Sequence, residues 1–482
     1  MSAKSFVKRS VAGHSWLGLL TGAFMYLICM SGTLAVFHQE FERWEQPNVE
    51  EYRDYDVQLL ESAYLDFIDS HPEETGHLHL VFPKSGIPRV VVENDHVARF
   101  VNQDGTLGEF ENLAWTKMLV KLHAYLSLPN TLGIIVVSIF GVLLLSLILS
   151  GFLAHPRVLK DAFRFRRGGS KQLERVDIHN RLSVWGAPFH IMIALTGAYF
   201  GLASVVVIVI ASVFHGGDQD IVVGKVFGQE PELSQDLRPA NIIGAMENFS
   251  LIAPKASPLF LTIHEPDTSG QFIEIYAQHP GRLIYSENYR FDIQGNHLGK
   301  AGFSDGEFGR QFLYSTYRLH FGEFGGFSVK ILYFVLGLSL TIISVTGINL
   351  WLEKRRHRDL INDVWLGFVW ASPAALCLAA IAQIIFGLSA TVTFWVTYSL
   401  FCCYSGWRRE ESESRRNFQF LSAASLLALV LLYSANFYEH ALTQAALGVN
   451  SALIVAALVF LLLGRKSATL HIEGISTKEQ WV

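Results

Sequence analysis

Four histidines recur at matched positions along the chain. His14 precedes Ser31-Gly32, and His179 precedes Thr196-Gly197, by the same 17 residues. His123 precedes Ser150-Gly151 by 27 residues, and His320 precedes Thr346-Gly347 by 26. Imidazole can ligate a metal, carry a proton or act as a polar group at a helix end. A pseudo-twofold axis along the membrane normal would set His14 opposite His179 and His123 opposite His320. Two facing imidazoles on neighbouring helices can serve as the axial ligands of a haem. The chain has no Cys-x-x-Cys-His, so such a haem would be b-type and non-covalent. Two other readings stay open. Each histidine can be an interfacial polar group, and imidazole also suits zinc or copper, although those ions usually take further ligands. His190 lies mid-helix where the first repeat has Met25. An ionisable group at such depth is a functional candidate, and His190 is held as a reserve ligand, a proton relay or a hydrogen-bonding partner of a ligand. His38, His155, His215 and His357 lie at helix ends, and His77, His79, His264 and His297 read as surface residues.

The elements that must position these residues are apolar runs. Val11 to Phe37 contains no Asp, Glu, Lys or Arg. It exceeds the roughly 7–15-residue core of a signal peptide and reads as a retained span. Val329 to Leu352 is interrupted only by Lys330 and is long enough for a hydrocarbon core of roughly 30 Å. The first 350 or so residues then form a tandem duplication of helix, insert and helix. The expected segments are a first span at 1–38, an insert at 39–118, a second span at 119–155 and a basic loop at 156–181. A third span at 182–215, a second insert at 216–316 and a fourth span at 317–353 follow. The hydroxyl–glycine pairs would let helices approach closely and bond across, or leave room for a flat macrocycle.

Both inserts carry strand patterns. His77–Phe82, Arg89–Glu93 and 97–101 are predicted strands in the first, and Leu259–His264, Gln271–Tyr276 and Leu283–Phe291 in the second. Arg99-Phe100 precedes Leu107-Gly108 by the spacing at which Arg290-Phe291 precedes Leu298-Gly299. Each insert is marginal as an independent domain, so docking on the membrane bundle is expected.

Composition agrees with a polytopic membrane protein: 50% of residues are hydrophobic and only 17% charged. Cys29, Cys377, Cys402 and Cys403 lie in or beside apolar runs and form no zinc or disulfide framework. Arg157, Lys160, Arg164, Arg166, Arg167, Lys171, Arg175 and Arg181 crowd one short connection, and Lys354, Arg355, Arg356 and Arg358 another. By the positive-inside rule both are cytoplasmic, the inserts lie on the other side, and both termini are inside. Residues 354–482 add four expected spans: Trp365–Phe386, Ser389–Tyr404, Phe420–Tyr433 and Ser451–Leu463. They show no histidine pattern and read as packing, a quinone site or a partner surface. Trp44, Trp115, Tyr125 and Tyr317 are expected at the outer ends, as an aromatic belt or a docking surface.

The His-Ser-Trp-Leu-Gly opening with its Ser-Gly, the Leu-His…Ser-Gly and Leu-His-Phe-Gly…Thr-Gly helices and the strand-rich inserts resemble the PepSY-associated transmembrane family, over roughly residues 1–358. The apolar runs give an all-α polytopic membrane bundle of about eight helices, and the resemblance implies that the inserts are two small α+β PepSY-like periplasmic domains in a bacterial inner membrane; the four C-terminal helices depart from the family's minimal four-helix form. The resemblance implies that His14, His179, His123 and His320 are the haem-ligand candidates, for two b haems. It also implies an oxidoreductase that reduces a periplasmic ferric chelate, a ferric siderophore foremost, in iron acquisition. The donor would be quinol or a cytoplasmic reductase, and the partners a lipid bilayer and no nucleic acid. No side chain is expected to act as acid, base or nucleophile. Two other classes compete: a non-enzymatic envelope regulator binding a protease or other partner, and a transporter built on the repeats.

Overall fold

The computed structural model describes residues 3–155, 157–163, 171–355 and 357–479. Arg164, Arg166, Arg167 and Arg356, on which the charge reading partly rests, lie outside the described residues. The chain opens with α1 (Ala3–Ala35), α2 (His38–Glu45) and α3 (Val57–Ser70). Strands β1 (His77–Val81), β2 (Val90–Asn94), β3 (Ala98–Val101) and β4 (Leu107–Phe110) follow, then α4 (Ala114–Tyr125) and α5 (Asn130–Ala154). Next come α6 (Val158–Asp161), α7 (Lys171–Trp185), α8 (Ala187–Phe214), α9 (Gln219–Phe227) and α10 (Ile242–Ile252). The second set of strands is β5 (Ser257–His264), β6 (Phe272–Gln278), β7 (Glu287–Phe291) and β8 (His297–Lys300), ahead of α11 (Phe308–Phe321) and α12 (Gly326–Lys354). The last elements are α13 (Leu360–Trp370), α14 (Ser372–Phe386), α15 (Ala390–Arg408), α16 (Glu411–Phe437) and α17 (Gln444–Glu479).

Among the described residues six helices are long and apolar enough to cross a membrane: α1, α5, α8, α12, α16 and α17. The expected span Trp365–Phe386 is instead a pair, α13 and α14, bent by 48°; counted as one crossing it makes seven. Pro373 causes the break, because its ring removes the N–H that would have bonded to the carbonyl four residues back, that of Val369. That carbonyl accepts hydrogen bonds from Tyr26 Oη at 2.9 Å and Ser372 Oγ at 3.0 Å. The remaining expected span, Ser389–Tyr404, falls on α15, whose 19 residues include Thr391, Thr393, Thr397 and Tyr398 and are less apolar than the six.

The structure corrects where three histidines lie. His123 is not on a span but on α4, closed by Leu126 in the left-handed region ahead of Pro129. His320 is likewise on α11, capped by left-handed Gly322 before α12 begins. His179 belongs to α7 rather than to a loop.

The chain divides into two compact units. The first comprises Met1–Pro47, Leu113–Ala198 and Lys330–Val482. Within it the C-terminal helices are keyed to the histidine-bearing core. Trp44 stacks on Tyr433 at 4.9 Å and donates Nε1–H to Asn450 Oδ1 at 3.0 Å, while Tyr433 Oη donates to the Trp44 carbonyl. Trp115 donates Nε1–H to the Leu376 carbonyl at 3.1 Å. Trp44 and Trp115 are therefore buried anchors, not members of an exposed belt. Lys330, the one charge in its apolar run, is also buried; its ammonium meets Glu40 at 2.8 Å and Gln39 at 3.0 Å.

The second unit comprises Asn48–Asn112 and Tyr199–Val329. The two inserts do not form separate domains. Their strands make one antiparallel sheet of eight, in the order β4-β3-β2-β1-β5-β6-β7-β8. The seam is β1 against β5, with His77 opposite His264 and Leu80 opposite Leu261. Each insert alone is too small for a sizeable core; joined, the sheet buries Leu80, Val92, Leu261 and Ile275 against Phe67 of α3 and Phe249 of α10. β4 and β8 were missed in the sequence because four-residue edge strands carry little pattern.

The polar face of this sheet holds a buried carboxylate. Burial opposes ionisation of Glu274, but hydrogen bonds from His264, Tyr276 and Arg290, with the Arg290 charge, bring its pKa down to about 2. The folded value lies below the ordinary 4.5, so this stabilisation is complete above that pH and is lost as pH falls toward 2. Thermal unfolding of the purified protein is expected to weaken across that window. Glu274→Gln should flatten the acid limb and cost up to about 3 kcal/mol at neutral pH; an unchanged acid limb would contradict the assignment.

Candidate functional site

The structure brings His14 and His179 together. Their ring centres lie 6.4 Å apart and their planes are near perpendicular, at 81°. Two imidazoles bound to one metal through ring nitrogens, at about 2.0 Å each, put their ring centres about 6 Å apart on opposite sides of it. The hydroxyl–glycine pairs explain how each ring is held. His14 Nδ1 lies 3.1 Å from Ser150 Oγ and 3.1 Å from the Leu147 carbonyl. His179 Nδ1 lies 3.0 Å from Thr346 Oγ1. Ser150 and Thr346 donate their own hydroxyl protons back along their helices, to Leu147 and Ile342. Their oxygens must then accept from the histidines, which fixes the proton on Nδ1 and the lone pair on Nε2. A histidine ligand is generally oriented in this way, by donating its other N–H to a fixed acceptor. Gly151 and Gly347 supply the space: a Cβ at either would stand 3.3 or 3.5 Å from Cε1 of the ring it faces.

His123 follows the same rule with different parts. Its Nδ1 donates to the Ile28 carbonyl at 2.9 Å, and its ring lies over Gly32, where a Cβ would stand 2.6 Å from Nδ1. Three of the four histidines thus rest on the glycine of a hydroxyl–glycine pair from the other helix of their own repeat. The fourth, His320, belongs to the second unit, where its ring packs edge-on against Phe200 at 5.3 Å. The structure does not bring His123 and His320 together within one unit. His190 is fully buried and its Nε2 meets Ser339 Oγ at 3.1 Å, a tie between α8 and α12. Among the described residues no group of three or more His, Cys, Asp and Glu is placed to hold a metal ion.

Two supporting features escaped the sequence reading. Glu45 is 5% exposed and caps α4, the helix of His123, accepting from the backbone N–H of Trp115 at 2.7 Å and of Thr116 at 2.9 Å, and from Thr116 Oγ1. Burial raises its pKa. Glu45→Ala would leave those donors unpaired and is expected to cost about 3 kcal/mol, read as a lower unfolding temperature together with a changed environment of His123 in NMR. The second feature is the set of three histidines at the insert seam. His77 lies 5.4 Å from His264 and 5.9 Å from His79, ring centre to ring centre. They stand on strands separated by almost two hundred residues, and only the pairing of β1 with β5 reveals the cluster.

Residues 11–354 match the family model described as the PepSY-associated TM region. The chain belongs to that family. The matched stretch holds all four histidines, both inserts and the hydroxyl–glycine pairs, and ends before α13. This PepSY-associated TM protein is also similar to a Pseudomonas aeruginosa protein recorded as uncharacterized, PA4219: 27% identical over 251 residues, covering 49% of this chain and 63% of that one. The chain thus spans less than two thirds of the length of that curated relative.

Proposed function

We propose that this PepSY-associated TM protein is a haem b oxidoreductase of a bacterial inner membrane. It reduces a ferric chelate, a ferric siderophore foremost, on the periplasmic side during iron acquisition. The observation that carries this reading is the His14–His179 pair, two imidazoles with ring centres 6.4 Å apart, each with Nδ1 against an equivalent hydroxyl. A pair with no third ligand among the described residues would fit a metal that brings its own donors better than a bare zinc or copper ion, which takes three or four protein groups.

In this reading His14 and His179 hold one haem, and His123 and His320 are the ligand candidates for a second. Haem iron so held supplies one-electron chemistry between its ferric and ferrous states. The protein's part is to aim the imidazoles, through Ser150, Thr346 and the Ile28 carbonyl, and to keep the helix interior dry. In this reading the basic connections and both termini lie in the cytoplasm, as the positive-inside rule favours, the eight-stranded sheet lies in the periplasm, and the bent pair and α15 complete eight crossings. Fe(II) binds hard oxygen donors less tightly than Fe(III), so reduction at the sheet side releases the iron.

The test is a transfer assay. Purified protein is reduced anaerobically with dithionite, freed of excess, and mixed with a ferric siderophore and a ferrous-specific chelator. Stoichiometric ferrous iron with reoxidation of the protein is expected; a protein that stays reduced with that acceptor would contradict the substrate assignment.

A further inference from the structure

The first unit contains a cavity of about 200 Å³ where α12 meets α13 and the start of α16. We infer that it binds the ring of a membrane quinol, the electron donor in the function proposed above, on which this inference rests.

The cavity's position is the first argument. Val345 and Asn349, one turn apart on α12, form part of its wall. Thr346 and Gly347 lie between them and hold His179. A molecule in the cavity therefore sits across one helix from the histidine pair, and a helix with its side chains is only about 10–12 Å thick. Electron entry requires such proximity, and the family match ends at residue 354, so the other wall comes from the C-terminal helices.

The lining chemistry is the second. Val369, Leu366, Trp365 and Trp370 give the cavity an apolar and aromatic side. Asn349, whose Oδ1 accepts from Trp365 Nε1 at 3.0 Å, and Asn362 offer amides. The charged wall is paired: Arg175 with Glu353, Arg358 with Glu411 and Asp363, and Arg415 with Glu411 at 2.6 Å. Each of the three lining guanidiniums is already paired with a carboxylate, so none is free to take the phosphates of a flavin nucleotide or a nicotinamide dinucleotide. A neutral ring with an oxygen at each end, carried by an apolar tail, matches this lining.

Oxidation of the quinol to the quinone releases two electrons and two protons. The electrons reduce two ferric chelates to the ferrous state. The protons pass to water.

The test uses a photoreactive azido-quinone with the purified full-length protein in detergent. Label is expected within residues 345–370, displaced by decyl-quinone, and reduced at least five-fold by Val369→Phe, which fills the cavity, and by Asn349→Leu, which removes an amide. The haem content of both variants should match the parent, which separates a lost donor site from a misfolded core. Label scattered over lipid-facing helices, or displaced by FMN or NADH instead of decyl-quinone, would overturn the inference. Saturable labelling of a protein that carries no haem would leave the cavity as a quinone site but contradict the oxidoreductase reading.

Discussion

His179→Ala is expected to remove one b haem of two and to lower ferric-chelate reduction by at least about 100-fold, and His14→Ala to do the same. Either substitution deletes one of two imidazoles whose centres stand 6.4 Å apart, and among the described residues no third His, Cys, Asp or Glu is grouped with them to replace it. The controls are the hydroxyls. Thr346→Val and Ser150→Ala leave the imidazoles in place but remove the oxygens that accept from Nδ1. Loss of such a partner typically costs 10–100-fold in affinity, so these variants should retain haem at high occupancy during expression, lose it faster in dilution and show a shifted reduction potential. A histidine that merely packs would give none of these spectroscopic changes. Full haem content in both His14→Ala and His179→Ala would remove the pair from the mechanism.

The second large effect is expected from a glycine. Gly32→Ala places a methyl group against the His123 ring, 2.6 Å from Nδ1, and the neighbour it meets is a ring fixed by the Ile28 carbonyl. The ring must swing away, so Gly32→Ala should lower haem content as deleting the His123 imidazole would, while leaving the histidine in the chain. Gly347→Ala puts the new atom 3.5 Å from His179 Cε1, an ordinary contact, and should be tolerated. Haem content of the two alanine variants, measured on protein of matched folding, separates them. Equal haem content in both would mean that the Gly32 contact does not position His123.

The duplication was legible because the same residue types recur at the same intervals, and it placed the histidines, the hydroxyl–glycine pairs and the strand-rich inserts in order. What those pairs do was not legible. Ser150-Gly151 lies 136 residues from the histidine it holds, and a hydroxyl followed by glycine reads equally well as helix packing until the partner helix is present. The joining of the inserts was hidden for a similar reason, since β1 and β5 are paired across the chain and each insert by itself looks like a small sheet. The break at Pro373 was foreseeable from proline chemistry; the Tyr26 hydroxyl that accompanies it is a tertiary contact. Trp44 and Trp115 resembled belt residues because aromatic side chains near a span end carry no local sign of being covered. The α17, α16 and α14 side chains that cover them lie more than 250 residues downstream.

The central claim is that the paired histidines hold haem. Its most direct measurement is a dithionite-reduced minus oxidised spectrum of the detergent-purified protein from haem-replete cells, with a pyridine haemochrome assay for stoichiometry. Sharp α and Soret bands and two b haems per chain, falling to one in His179→Ala, are the predicted result. A colourless protein with both histidine pairs intact would contradict the account and return His14 and His179 to the role of hydrogen-bonded polar groups at helix ends.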